Sequence, residues 1–220
     1  MPFTAEDRDR LIRDPRGFMD GIACMVSQSC ATPTLRGHAD LLTFDDCPYM
    51  RAFRQLDHGS DVILRDIPYL ILRKAEPDDT VVFPAYLIEY EPGGAPRTVL
   101  GTEAALAFTA NMNGCTLGIG SQRGPGSACL VTHANAVGQG SQAANTAAQR
   151  RAASQVVGSR GRLFEPEHYR THDKQAVTFA FRERGLWRFA YLSYRLSPGA
   201  VGFVVKSYGV QDVETNRVQG

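Results

Sequence analysis

AVTFAFRERGLWRFAYLSYRL, residues 176–196, alternates apolar and polar side chains on both sides of the polar tip RERG at 182–185. A period of two sends successive side chains to opposite faces of an extended chain, and Val, Phe, Trp and Tyr suit a pleated, half-buried surface. The stretch therefore reads as a hairpin. AVGFVVKSYGV at 200–210 follows it, so the chain is expected to close with two or three aromatic-rich strands. Alternation turns most of Phe179, Phe181, Trp187, Phe189, Tyr191 and Tyr194 into a core.

The same signature recurs upstream. DVILRDIPYLILRK (61–74) and TVVFPAYLIEY (80–90), separated by EPDD, read as two strands in antiparallel succession. Pro68 and Pro84 each remove a ladder donor, so interruption, a bulge or an edge position is expected at both. EPGGAP (91–96) is a turn and RTVL (97–100) a short strand, whereas TEAALAFTA (102–110) fits a helical turn or a strand. Three segments read as helices. Residues 5–21 are Arg-rich with Pro15 and Gly17, which predicts a short polar leading helix, then a break, in a segment of about 1–20 free to be flexible. DCPYMRAFRQL (46–56), with Asp45 and Asp46 near its start, predicts an amphipathic helix. The Ala- and Gln-rich run 139–157, ended by GSRGR, predicts a longer one.

At 220 residues, 43% hydrophobic and 21% charged, the chain is expected to form a single catalytic domain over 1–220. Its 24 Lys plus Arg against 23 Asp plus Glu leave a net charge of +1, which asks for neither nucleic acid nor an anionic membrane surface. Five cysteines, Cys24, Cys30, Cys47, Cys115 and Cys129, form no CxxC pair and no regular frame, and an odd number leaves at least one thiol free. No cleavable apolar leader and no membrane span is expected, since no apolar run approaches roughly 18 residues. Synthesis in a reducing cytosol follows, with or without export by a specialised secretion machine.

The chemistry concentrates in FTANMNGCTLGIGSQRGPGSACLVTHANAVG, residues 108–138. NGCTLGIG and ACLVTHAN flank SQRGPGS, whose Gly and Pro mark a turn, so a β-hairpin is predicted. Centred on Gly124, the hairpin sets Cys115 opposite His133; centred on Pro125, it sets Cys115 opposite Asn135 with His133 as the diagonal neighbour. Either register brings an imidazole toward the thiol on one face. Thiol catalysis needs this, because the thiolate is the nucleophile and a free cysteine is mostly protonated at neutral pH. Gly114 leaves the sulfur open to close approach. The bland alternative is a buried cysteine beside a satisfied core histidine. Cys129 reads as core, and Cys24, Cys30 and Cys47 as structural thiols.

On Gly114-Cys115-Thr116 and His133, the sequence resembles the catalytic domain of the cytotoxic necrotizing factors and related glutamine-deamidating bacterial toxins, and more distantly the chemotaxis receptor deamidases. Asn113 stands where a Ser commonly precedes the glycine, and the turn is longer. The resemblance implies an α+β, mostly β fold: a β-sandwich-like core of antiparallel strands with peripheral helices and loops. It implies a protein-glutamine deamidase or transglutaminase without metal or organic cofactor, with Cys115 as nucleophile, His133 as acid and base, and backbone amides near Gly114 to Thr116 for the oxyanion. A third group orients the histidine in that family, either a backbone carbonyl or here Asn135. The implied partner is a regulatory protein with a reactive glutamine, such as a small GTPase, in a cell reached by specialised secretion.

Three rivals remain. His168 and His172, four apart in EPEHYRTHD, are a weak zinc signal, while His38 with Asp40 and Asp57 with His58 read as surface groups. A cysteine peptidase or acyltransferase would use the same dyad, although a papain-type peptidase places its cysteine at a helix start and its histidine far along the chain, unlike this hairpin. A β-rich interaction module would use the closing aromatics as a contact surface.

Overall fold

The structure is a computed structural model that describes residues 2–47, 50–58, 61–136, 138, 140–170, 174–198 and 203–217. Its leading segment forms two helices, α1 (Ala5–Arg13) and α2 (Pro15–Asp20). Thr4 and Asp7 cap α1 reciprocally, and Asp14 caps α2 by accepting the Gly17 amide at 2.9 Å. The break therefore falls at Asp14. Leu11, Phe18 and Met19 are buried, so this charged segment is anchored by three apolar side chains that its arginines outnumber in the sequence.

Fifteen strands follow among the described residues: β1 (Ala23–Val26), β2 (Asp40–Asp46), β3 (Arg51–His58), β4 (Asp61–Ile67), β5 (Tyr69–Lys74), β6 (Phe83–Ile88), β7 (Arg97–Leu100), β8 (Leu106–Thr109), β9 (Thr116–Ile119), β10 (Cys129–Ala134), β11 (Arg162–Phe164), β12 (Gln175–Glu183), β13 (Leu186–Pro198), β14 (Phe203–Asp212) and β15 (Asn216–Arg217). Two more helices, α3 (Gln142–Val157) and α4 (Pro166–Tyr169), flank β11. At 45% strand and 19% helix, the chain is a β-rich α+β protein.

Ten strands make one sheet in the order β1-β5-β2-β6-β8-β12-β13-β14-β3-β4, which curls until it is nearly closed. It is mixed: β1/β5, β6/β8 and β14/β3 are parallel, where a purely antiparallel core was expected. Inside the curl, Phe3, Phe18, Phe44, Phe83 and Phe108 pack ring against ring, with centroids 5.2 to 6.5 Å apart.

Long-range pairing changes several local expectations. Residues 61–74 split at Pro68 into β4 and β5, and β5 and β6 are not neighbours, because β2 lies between them and pairs antiparallel with both. Pro84 is tolerated within β6 because β2 pairs with Phe83–Ala85 while β8 pairs only from Tyr86 onward. The helix expected over 46–56 does not exist; β2 ends at Asp46 and β3 starts at Arg51. There β3 is laddered between β14 and β4, and Arg73 of β5 pairs with Asp45 at 2.6 Å, so sheet pairing overrides the amphipathic pattern. Residues 106–109 are a strand without alternation because β8 is covered on both faces.

The remaining strands form an antiparallel sheet, β15-β11-β9-β10-β7. One face packs on the large sheet through Tyr86, Ile88, Leu117, Val131, Phe164 and Trp187. The other carries α3, the helix predicted over 139–157. Gly118 permits this close approach, since a Cβ there would lie 2.8 Å from Thr132 Cγ2 and 3.1 Å from Val157 Cγ1. The closing strands are β12, β13 and β14, covered on both faces rather than one: Phe179 and Tyr194 are buried in the core inside the large sheet, and Trp187 and Tyr191 in the core between the sheets. Among the described residues, no helix is long and apolar enough to cross a membrane.

Candidate active site

β9 and β10 are the strands of the hairpin read from 108–138. Their register sets His133 against Leu117 and Ala134 against Thr116, its last pair, and one further step of the same register reaches Cys115 and Asn135, each one residue beyond its strand. The hairpin is thus centred on Pro125, and His133 is the diagonal neighbour of Cys115. Leu117, Val131, Cys129 and Cys115 all belong to the core between the sheets, so the thiol and the imidazole share that face.

Cys115 sits one residue before β9, just after Gly114 at φ 93°. Such a φ favours glycine and sets the chain on course into the strand. Tyr169 of α4 pins this bend, accepting the Gly114 amide at 3.0 Å and donating to the Cys115 carbonyl at 2.7 Å. A Cβ on Gly114 would lie 3.2 Å from Arg170 Nη1 and 3.6 Å from Gln142 Nε2, so two exposed polar side chains border the bend.

The thiol is 5% exposed and His133 is fully buried. Burial pushes Cys115 up to about 11, against a pull from the Asn113 backbone amide, and holds His133 down to about 4. The resting pair is therefore neutral thiol and neutral imidazole, and no thiolate–imidazolium pair is preformed. Neither ring nitrogen of His133 has a hydrogen-bond partner among the described residues.

The other sequence candidates lie nearby in different roles. Asn135 does not bond His133; its Nδ2 donates to Tyr90 Oη at 2.7 Å, and Tyr90 packs its ring 5.0 Å from the imidazole. Burial raises the Tyr90 hydroxyl pKa, and Cys115 raises it further. The Gly114 amide is occupied by Tyr169, and the Thr116 hydroxyl points to the helix side, donating to Gln149 Oε1 at 3.2 Å. The Gly114 amide is thus engaged at the bend, while the Thr116 side chain braces β9 against α3. Tyr90, Tyr169 and Arg170 carried no signal in the sequence, because nothing in their own neighbourhoods ties them to Cys115.

Cys24, Cys30 and Cys129 are buried free thiols, as expected of core positions, and Cys47 is half-buried. His168 Nδ1 accepts the Glu165 amide at 2.9 Å, and its expected companion His172 lies outside the described residues. Asp40, expected at the surface, is buried and accepts the Thr34 amide, while His38 pairs instead with Glu103 at 2.9 Å. No cluster of three or more His, Cys, Asp or Glu able to hold a metal occurs among the described residues. In comparisons with known proteins, no protein-family model and no curated protein matches this chain.

Proposed function

We propose that this protein is a thiol-dependent protein-glutamine deamidase with Cys115 as nucleophile and His133 as the group that moves the proton. The observation that carries the reading is the histidine. A fully buried imidazole whose two nitrogens have no hydrogen-bond partner among the described residues costs stability, and such a group beside a strand-start cysteine is accounted for by proton transfer. The likeness to the necrotizing-factor deamidases rests on the same residues, and the packing of the small sheet on the large one is the part of the fold that agrees with a sandwich.

The resting protonation states define the order of events. Neutral His133 acts as base, taking the Cys115 proton as sulfur adds to the carboxamide carbon of a glutamine. The oxyanion that forms is met by the Cys115 amide, since the Gly114 amide is engaged. Imidazolium then protonates the departing nitrogen, which leaves as ammonia, and a thioester remains. A water deprotonated by His133 hydrolyses it to glutamate and restores the thiol; an amine in place of water would transglutaminate. The target is a regulatory protein, such as a small GTPase, in a cell that the protein reaches by specialised secretion.

The burial-raised thiol favours a second reading, an inert β-rich interaction module. Iodoacetamide labelling across about pH 5 to 9, resolved by peptide mass spectrometry, separates the two. The deamidase reading expects Cys115 to label faster than Cys129 of the same sheet, with the advantage lost in His133→Gln. Equal, slow labelling of both thiols would leave the module.

A further inference from the structure

At the far end of β9 from Cys115, about 13 Å along the strand at roughly 3.3 Å per residue, lies a cleft of about 840 Å³. Its walls are the α1–α2 junction, the tip of the β12–β13 hairpin, the residues after β9 and the turn after β14. Arg13, Arg16, Arg160, Arg162, Arg182 and Arg188 line it, against three acids, Asp14, Glu183 and Asp212, for a local excess of +3 in a chain whose net charge is +1.

Those acids are already engaged. Asp14 caps α2, Asp212 pairs with Arg16, and Glu183 pairs with Arg188 at 3.4 Å. Arg13, Arg160 and Arg162 are exposed and have no carboxylate partner among the described residues. The floor is aromatic. Trp187 is 2% exposed, and Gln122 pins its backbone by accepting its amide at 2.7 Å and donating to its carbonyl at 2.9 Å. Buried donors stand here without partners among the described residues: the Trp187 indole N–H and the Arg182 Nε–H.

Like charges gathered from three stretches of the chain, 13–16, 160–162 and 182–188, repel one another, so the cluster is at its most favourable when an anion joins it. We infer that the cleft binds a compact ligand carrying an oligophosphate group. A phosphate oxygen set accepts from several guanidinium forks at once, and the volume is that of a small-molecule site. This inference does not depend on Cys115.

The test is calorimetric titration of the full chain with inorganic tripolyphosphate and, separately, with adenosine triphosphate, at about 0.15 M salt to screen weak surface pairing. Saturable binding is expected, weakened about tenfold or more in Arg160→Ala/Arg162→Ala and unchanged in Arg151→Ala on the exposed side of α3. Tighter binding of the nucleotide would add the aromatic floor to the recognised surface, and equal binding would assign recognition to the phosphates alone; both support the site. No binding of either probe, binding indifferent to the double substitution, or binding of polyglutamate in preference to both would overturn it. Thermal unfolding of the variants checks that these exposed substitutions leave the fold intact.

Discussion

The Tyr169 hydroxyl bridges the two ends of the bend at Cys115, taking the Gly114 N–H and giving its own proton to the Cys115 carbonyl. Both backbone groups are buried, so the bend that presents the sulfur is held by a side chain from α4, some fifty residues further along the chain.

Tyr169→Phe removes that hydroxyl and leaves a buried donor and a buried acceptor unpaired. The expected cost is about 1 to 3 kcal/mol in urea unfolding. If the bend positions the nucleophile, the labelling rate of Cys115 changes while that of Cys129 does not.

Gly114→Ala forces a Cβ into a left-handed backbone conformation. A loss of about 1 to 2 kcal/mol is expected, and it is backbone strain. Arg170 presents only the end of a flexible side chain to the new methyl group, so the same substitution made in an Arg170→Ala background should recover little of the loss.

His133 links stability to pH. Its folded pKa is about 4 against an ordinary 6.5, so between these values the unfolded chain binds the extra proton. The associated stability is present above 6.5 and is lost as pH falls to about 4, on the order of 3 kcal/mol in all. Cys115 has the opposite sign: raised from 9.0 to about 11, it contributes stability that is present below 9.0 and lost as pH rises through about 11. Urea unfolding should be most favourable to the fold between the two windows. In His133→Leu the acid limb should be shallower.

The same His133→Leu substitution replaces two nitrogens that have no partner among the described residues with apolar atoms. It should cost less than about 1 kcal/mol near neutral pH, or stabilise, while abolishing the enhanced labelling of Cys115. A large loss of stability would show that the imidazole is a structural group.

Asn135 and Tyr90 should be coupled. A double-mutant cycle with Asn135→Ala and Tyr90→Phe is expected to return about 0.5 to 1.5 kcal/mol, the net worth of their 2.7 Å hydrogen bond. A value near zero would make Tyr90 a packing partner of His133 alone.

Local chemistry was enough to read the hairpin of 113–135, the helix ending at Val157 and the closing strands around Arg184 and Gly185. Turn residues and side-chain alternation act between near neighbours, and these elements are built from near neighbours. Cys115 and His133 on one face follow from that alone. The choice of Pro125 over Gly124 as the hairpin centre did not follow, because a Gly-Pro-Gly turn is compatible with both and β7, β11 and the large sheet select one. Nor did the helix expected over 46–56 survive, since its residues find backbone partners on strands distant in sequence. Protonation of the two site residues was likewise decided by tertiary structure: desolvation depends on which sheet covers the hairpin, and that covering sheet is assembled from strands across the chain. Tyr169, Tyr90 and the arginines of the cleft arrive by the same route, each given a role only by what the fold sets beside it.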